Sequence, residues 1–380
     1  MFEKMKNQFE PLDVDDLKSI EFIKHKDKIK LVVQLKIPYF NVKLHTDRGI
    51  FSDCFNDKEP FDHATHVFFV PEEALNPESE LVLSLEDSPE EGERFYYSFL
   101  FGNPDFADKD TLLREYDSGI QIINTENETV SEGVEYSHFT CTDKNNAPVH
   151  AFLLKVDPEK ATLYVGTPDD GYKNCNVVAK VPEMINSAVQ NGQNVVAAVN
   201  ADFFDIFGSG SPSGLCIKNG RIIANPDSNR PFIGIKKDGT PVVATVDEVD
   251  ISELECAASG LPMIVRDGQL CDWGCLEPFA FVRHPRTAAG ITKDGTILLL
   301  VVDGRIPDYS NGASLVDLGK MMLSFGAERA LNLDGGGSSV IYTKKDNEFV
   351  LHNVPADLYR PFDKLIRDEF NCLMVTERMK

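Results

Sequence analysis

"ALNLDGGGSSVIY", residues 330–342, is the stretch on which the reading of this chain turns. An apolar run ends in Asp334. Gly335, Gly336 and Gly337 follow, then Ser338 and Ser339, then a second apolar run. No Lys-Ser/Thr pair follows the glycines, so the stretch is not a P-loop, and it lacks the G-x-G-x-x-G spacing of a dinucleotide site. The pattern is strand, glycine turn, strand. Glycine allows positive φ and close approach of the backbone to a ligand. Successive N–H groups in such a turn form an anion-binding concavity. Ser338 and Ser339 add donors, and Asp334 faces whatever the concavity holds. The competing reading is a tight hairpin in which Asp334 caps its own turn.

Similar polar clusters sit at other strand ends. "VNADFFD" (199–205) places Asn200, Asp202 and Asp205 after the apolar run "VVAAV". "FVRHPRTAAGI" (281–291) groups Arg283, His284 and Arg286 before a strand. Arginine forks bind carboxylate or phosphate in a bidentate way. "VVDGRIPDYSNGASL" (301–315) sets Asp303 and Arg305 about a glycine, with Ser310 in the loop that follows. Taken together, the carboxylates Asp202, Asp303 and Asp334, the arginines Arg286 and Arg305 and the glycine turn suit an anionic, hydroxyl-rich substrate such as a phosphorylated sugar. Three aspartates would also suit a hard divalent cation, although no EF-hand-like loop is present; no cofactor is otherwise implied.

Around these motifs the pattern predicts an α+β fold: a mixed, largely antiparallel sheet with a few packed helices, preceded by a smaller all-β module. "IKNGRII", "IKKDGTPVV", "VRDGQL" and "ITKDGTILLLVV" each set NG or DG between strand-like runs, the signal of a tight antiparallel turn. "VPEMINSAVQN" has helical spacing and stops at Gly192; "SLVDLGKMMLSF" opens on Ser314 and Asp317 with capping-box spacing. "KIKLVVQLKI", "HATHVFFV", "SELVLSLE" and "RFYYSFLFG" read as strands of the first module, of sandwich type. The polar stretch "NTENETVSEG" (124–133) carries no apolar period and reads as the boundary, giving residues 1–130 as the accessory module and 131–380 as the catalytic domain.

Composition narrows the partners. A net charge of −23 over 380 residues repels nucleic acid and anionic membranes. No stretch reaches the apolar length of a membrane span. The N-terminus lacks an apolar h-region, so the chain reads as cytoplasmic. The eight cysteines are scattered, apart from Cys271 and Cys275 in "CDWGC", and read as buried thiols. Oligomeric state is not legible.

"NADFFD", "IKNGRII", "HPRTAAGI", "VVDGR", "SNGASL" and "GAERALNLDGGGSS", followed by Asn353, Pro355, Ala356, Asp357, Arg360 and Pro361, occur in the order found in the phosphodiester glycosidase family. The chain resembles that family over roughly residues 134–380. The resemblance implies hydrolysis of a sugar joined through its anomeric oxygen to a phosphate ester. It carries over onto Asn200, Asp202, Arg286, Asp303, Arg305, Asp334, Gly335, Gly336 and Ser338. Asp334 or Asp202 would be the base or nucleophile, and Asp303 would hold sugar hydroxyls or orient an arginine. Arg286, Arg305 and the glycine N–H groups would clamp the phosphate. Asn200, Ser310, Gly337 and Ser338 complete the expected substrate contacts. Ile306-Pro307 departs from the polar residue expected there, so the loop beside the substrate differs. Members that act outside the cytosol leave a secreted or surface placement open. The alternative is a non-catalytic protein that binds glycans or sugar-phosphate polymers on the same fold.

Overall fold

The DG and NG pairs do what their chemistry predicts. In the computed structural model, Cys216–Lys218 turns onto Arg221–Ala224, and Met263–Arg266 onto Gln269–Leu270. Asn219, Gly220, Asp267 and Gly268 all adopt positive φ in these turns, as mirror-image hairpin turns require. Phe232–Lys236 turns onto Pro241–Ala244 and Arg286–Thr292 onto Ile297–Val302, with Gly239 and Gly295 at positive φ. The structure describes residues 9–12, 16–25, 28–36, 39–46, 48–52, 65–71, 75, 80–88, 93–100, 120–143, 146–205, 208–224, 229–271, 282–306, 308–356 and 366–378. Cys54 and Cys275 lie outside them, and with Cys275 the expectation on "CDWGC"; Cys141, Cys216, Cys256 and Cys372 are free and buried.

The chain divides into two compact units, Met1–Tyr116 with Gly274–Phe279 and Asp117–Trp273 with Ala280–Lys380. In the first, Lys28–Leu35, Thr65–Pro71, Glu80–Glu86 and Arg94–Leu100 are strands where the apolar runs stand. Leu17–His25, Phe40–Thr46 and Gly49–Ser52 join them in a three-stranded and a five-stranded sheet. Leu31, Val33 and Phe68 of one sheet share a core with Leu44, Leu81 and Leu83 of the other.

Among the described residues the second unit has three antiparallel sheets; the expected antiparallel pairing holds, but it is spread over several sheets where one mixed, largely antiparallel sheet was expected. An eight-stranded sheet runs from Gln269–Leu270 at one edge to Gln121–Ser131 at the other. One five-stranded sheet holds Ala161–Gly166, Cys372–Glu377, Val195–Asn200, Ile341–Lys345 and Glu348–Leu351 in that order. The other is built around Leu254–Ser259. Phe152, Leu299 and Leu331, Val199, Ile341 and Leu373, and Ile233 and Ala258 bring all three into one core.

Two α-helices are found among the described residues. α1 (Val181–Gln190) buries Val181, Met184, Ile185 and Ala188 against Ala198, Tyr342 and Met374. α2 (Leu315–Ser324) begins with the expected box: Ser314 Oγ accepts from the Asp317 N–H, and Asp317 Oδ2 accepts from the Ser314 N–H.

Residues 124–133 correct the expected boundary. Gln121–Ser131 pairs along Val134–Thr142 as an edge strand of the second unit. It is exposed over most of its length, so nothing selects an apolar alternation; main-chain hydrogen bonds hold it.

Arg283 fastens the loop before α2. Its Nη2 lies 3.1 Å from Asp317 Oδ2, its Nε 3.8 Å from Asp143 Oδ2, and its Nη1 donates to Gly312 O at 2.9 Å. Asp143 and Asp317 are buried. Removing one partner strands the other charge in low dielectric. Asp317→Ala is expected to lower the unfolding free energy by about 3–5 kcal/mol, read by urea denaturation.

Candidate active site

The site begins with a buried amide. Asn200 ends the strand Val195–Asn200 and is fully enclosed. Its Nδ2 donates to Asp334 O at 2.7 Å, and its Oδ1 accepts from Thr287 Oγ1 at 2.8 Å and from the Val340 N–H at 3.2 Å. Thr287 belongs to the eight-stranded sheet, so this one side chain ties two sheets together. A main-chain bond repeats the tie, Asp334 N–H to Ala201 O at 2.9 Å, while Leu333 N–H to Thr287 O at 2.8 Å continues the pairing within the eight-stranded sheet. Asn200 was expected to bind substrate; its amide is taken up by the protein instead.

The glycine stretch is likewise not a hairpin. It carries the chain from Ala327–Asn332 in the eight-stranded sheet to Ile341–Lys345 in a five-stranded sheet. A Cβ on Gly335 would stand 2.7 Å from Pro285 O. Gly336 has a φ of +65°, and a Cβ there would lie 3.2 Å from Arg305 Nη1. The glycines let the loop lie against the His-Pro-Arg segment and the Arg305 guanidinium. The expected cradle of N–H donors is mostly filled from within. Gly335 N–H binds Asp334 Oδ1 at 2.8 Å, Gly336 N–H binds Pro285 O at 3.0 Å, and Ser338 N–H binds Gly335 O at 3.2 Å.

Around this loop stand several carboxyl groups. Asp334 is half-buried. Asp202 is buried; Gly214 N–H donates to its Oδ2 at 3.0 Å, while its Oδ1 has no hydrogen-bond partner. Burial pushes the Asp202 carboxyl well above the usual range, the Asp334 charge adds to this, and Arg230 opposes it. Glu369, which sequence reasoning missed, is also buried and close enough to Asp334 to feel its charge. Desolvation first and Asp334 second hold its carboxyl well above the usual range.

The arginines divide by task. Arg305 is exposed, has a φ of +59°, and donates from Nε to His284 Nδ1 at 3.2 Å. Burial, then Arg286 and Arg305, push the His284 imidazole down to about 2, so its Nδ1 is an acceptor. Arg286 is buried and donates to Ala313 O at 3.1 Å and Val282 O at 3.0 Å, which makes it a brace for the loop. Two further arginines were missed. Arg230 acts on Asp202 and lies over the Phe203 ring at 5.9 Å. Arg367 donates to Ser338 Oγ at 3.3 Å.

Asp303 and Ser310 belong to the scaffold. Asp303 accepts from the Val354 N–H and Asn353 Nδ2, each at 2.8 Å, and from Tyr309 Oη at 3.1 Å. Asn353 Nδ2 also reaches Ser339 O at 2.9 Å, so Asp303 braces the far end of the glycine loop. Ser310 Oγ donates to Asp303 O at 2.6 Å and accepts from the His150 N–H at 3.0 Å. Both were expected at the substrate; both are buried with their hydrogen-bonding groups engaged by the chain. Asp205 accepts from the Ser209 N–H at 2.9 Å and orders its own loop. Among the described residues no group of three His, Cys, Asp or Glu side chains is placed to hold a metal ion. No helix among them is long and apolar enough to cross a membrane.

The resemblance to phosphodiester glycosidases is borne out: residues 193–367 match the model of that family. The chain is 33% identical over 172 residues to the SPbeta prophage-derived uncharacterized protein YomE of Bacillus subtilis (strain 168), covering 41% of this chain and 25% of that protein. It is 29% identical over 161 residues to the N-acetylglucosamine-1-phosphodiester alpha-N-acetylglucosaminidase of Bos taurus, covering 37% of this chain and 30% of the enzyme. The chain thus spans between a quarter and a third of the length of these relatives. The fold is similar to the catalytic domain of the zebrafish enzyme of the same name, auto-inhibited by its pro-peptide. The TM-score is 0.53 at 23% identity, over 67% of this chain and 89% of that domain.

Asp303 makes the scaffold pH-dependent. Burial raises its carboxyl from 3.8 to about 6. Between those values the folded chain binds more protons than the unfolded chain, so this contribution to stability falls as pH rises through the window. Relative to wild type, Asp303→Asn is expected to gain on the order of a few kcal/mol from the acid to the neutral side, read by denaturation midpoints across the range.

Proposed function

We propose that this chain is a hydrolase that releases a sugar from a sugar-1-phosphodiester by water attack at the anomeric carbon. The observation that carries the reading is one junction between two sheets. There the Asp334 carboxyl, the buried acids Asp202 and Glu369, and Arg305, Arg230 and Arg367 gather about a glycine loop. The match of residues 193–367 to the phosphodiester glycosidase family supports the reaction class.

The leaving group of such a substrate is already a stable phosphate, so the reaction needs little help from a strong acid. It needs a hold on the phosphate and stabilisation of the oxocarbenium-like transition state. Asp334 takes a proton from water as its oxygen bonds to the anomeric carbon. The bond from that carbon to the bridging oxygen breaks, and its electron pair leaves with the phosphate monoester. Arg305, with Arg230 and Arg367, supplies the positive field for the phosphate. Arg286, Asp303, Asn200 and Ser310 hold the loops that place these groups.

The test is turnover of a panel of sugar-1-phosphodiesters led by an alpha-N-acetylglucosamine-1-phosphodiester. Wild type is expected to release free sugar, and Asp334→Asn to lose about 10²–10⁴-fold in kcat/KM with an unchanged Tm. Equal turnover in the variant would remove Asp334 from the chemistry. A folded wild type that releases sugar from no member would be a glycan-binding protein, to be sought on glycan arrays.

A further inference from the structure

Arg305 stands in a conformation that the chain around it imposes. Its φ of +59° lies in the left-handed region, which a residue with a Cβ avoids unless its neighbours hold it there. They do. Asp303 before it and Ile306 after it are buried. Ile306 N–H donates to Ser310 O at 3.2 Å, and Ser310 N–H donates to Ile306 O at 2.9 Å. A Cβ on Gly304 would lie 2.8 Å from Pro285 N and 2.9 Å from His284 C, so the backbone before Arg305 is pressed against the His-Pro segment. His284 is itself fixed, exchanging N–H···O bonds with Ala313 at 3.1 and 3.0 Å.

From this braced loop the exposed Arg305 side chain reaches back to His284, where its Nε–H donates to Nδ1 at 3.2 Å. Arginine offers donors only, so the bond makes Nδ1 the unprotonated nitrogen and puts the imidazole proton on Nε2. Burial, with Arg286 and Arg305 adding to it, keeps the ring neutral and so an acceptor. A guanidinium has two edges with which to grip an oxyanion: Nε with one Nη, or the two Nη groups together. With Nε–H given to His284, a bidentate grip has to come from the second edge. That edge lies at the glycine loop, because Nη1 would be 3.2 Å from a Cβ on Gly336.

We propose that His284 is a positioning residue for the substrate phosphate: by holding Arg305 through Nε–H, it turns the two Nη groups onto the two non-bridging oxygens of a phosphodiester. This rests on the reading of the same site as one for a phosphodiester. The match is one of number and charge, two parallel donors on a cation against two anionic oxygens. A lysine, a point charge without an Nε–H, could not be held in this way.

The test is titration of inorganic phosphate into wild type, His284→Asn and His284→Leu, with Tm read alongside. The Asn Oδ1 can accept where Nδ1 does, and Leu cannot. His284→Asn is expected to stay within about threefold of wild type, and His284→Leu to bind about tenfold more weakly. In an Arg305→Lys background the same Leu substitution is expected to change affinity by less than about twofold, since no Nε–H remains to be held. Equal losses in both backgrounds would mean a merely structural His284 and overturn the proposal, as would Asn and Leu behaving alike or no phosphate binding by wild type. Arginine side-chain ¹⁵N NMR of the wild type decides independently of any variant's folding. Phosphate is expected to shift the Arg305 Nη signals and to preserve the N–H···N coupling between Arg305 Nε and His284 Nδ1; loss of that coupling on binding overturns the proposal. If phosphate binds as expected but no phosphodiester is turned over, the hydrolase reading fails and the His284 assignment stands. If wild type and His284→Leu turn over a sugar-1-phosphodiester equally, the hydrolase reading stands and the assignment fails.

Discussion

The buried amide of Asn200 is the constraint on which the rest depends. It satisfies the Val340 N–H and the Thr287 hydroxyl with its oxygen and the Asp334 carbonyl with its nitrogen. An apolar residue there would take from the Val340 N–H its side-chain acceptor, at a cost of about 1–3 kcal/mol, and would leave the Thr287 hydroxyl with Ser339 Oγ at 3.2 Å in place of the amide. The same three bonds set where Asp334 emerges. The side chain that joins the sheets therefore also positions the carboxyl at the centre of the proposed chemistry.

Charge is distributed around that seam with a consistent logic. The acids that lie deep, Asp202, Glu369 and, more weakly, Asp303, are raised above the usual carboxylate range by desolvation. Asp334 lies nearer the surface, as does the exposed Arg305. On the proposed reading, a chain with a net charge of −23 thus gains a local region in which its arginines offset the repulsion of an anion. Arg283 and Arg286 reinforce this indirectly, because each braces the loop between Asp303 and α2.

Much of this architecture was legible in the sequence where local chemistry decides. The NG and DG turns, the Ser314 capping box and the apolar strands are short-range signals, and they were read correctly. The glycine loop was harder. "Strand, glycines, strand" is the same text whether the two strands pair in one sheet or belong to two, and only long-range packing separates the cases. The edge strand Gln121–Ser131 was missed because exposure on both faces leaves no period to read. Polar residues at strand ends stand about the glycine loop, but fasteners and ligands look alike there; Asn200, Arg286, Asp303 and Ser310 all make fastening bonds within the chain. Glu369 was one of 61 acidic residues, set before a strand far along the chain from Asp334. Arg230 stands just before the strand Phe232–Lys236, and the rule that singled out Arg286, applied evenly, would have found it; Arg367 lies five residues before Cys372–Glu377 and carries no such signal.

The most direct test of the central claim is hydrolysis of a sugar-1-phosphodiester in ¹⁸O-labelled water, with mass analysis of both products. Attack at the anomeric carbon places the label in the released sugar and leaves the phosphate monoester unlabelled. Label in the phosphate would mean that the P–O bond breaks, and would contradict both water activation by Asp334 at the anomeric carbon and the role of the arginines as a hold on the leaving phosphate.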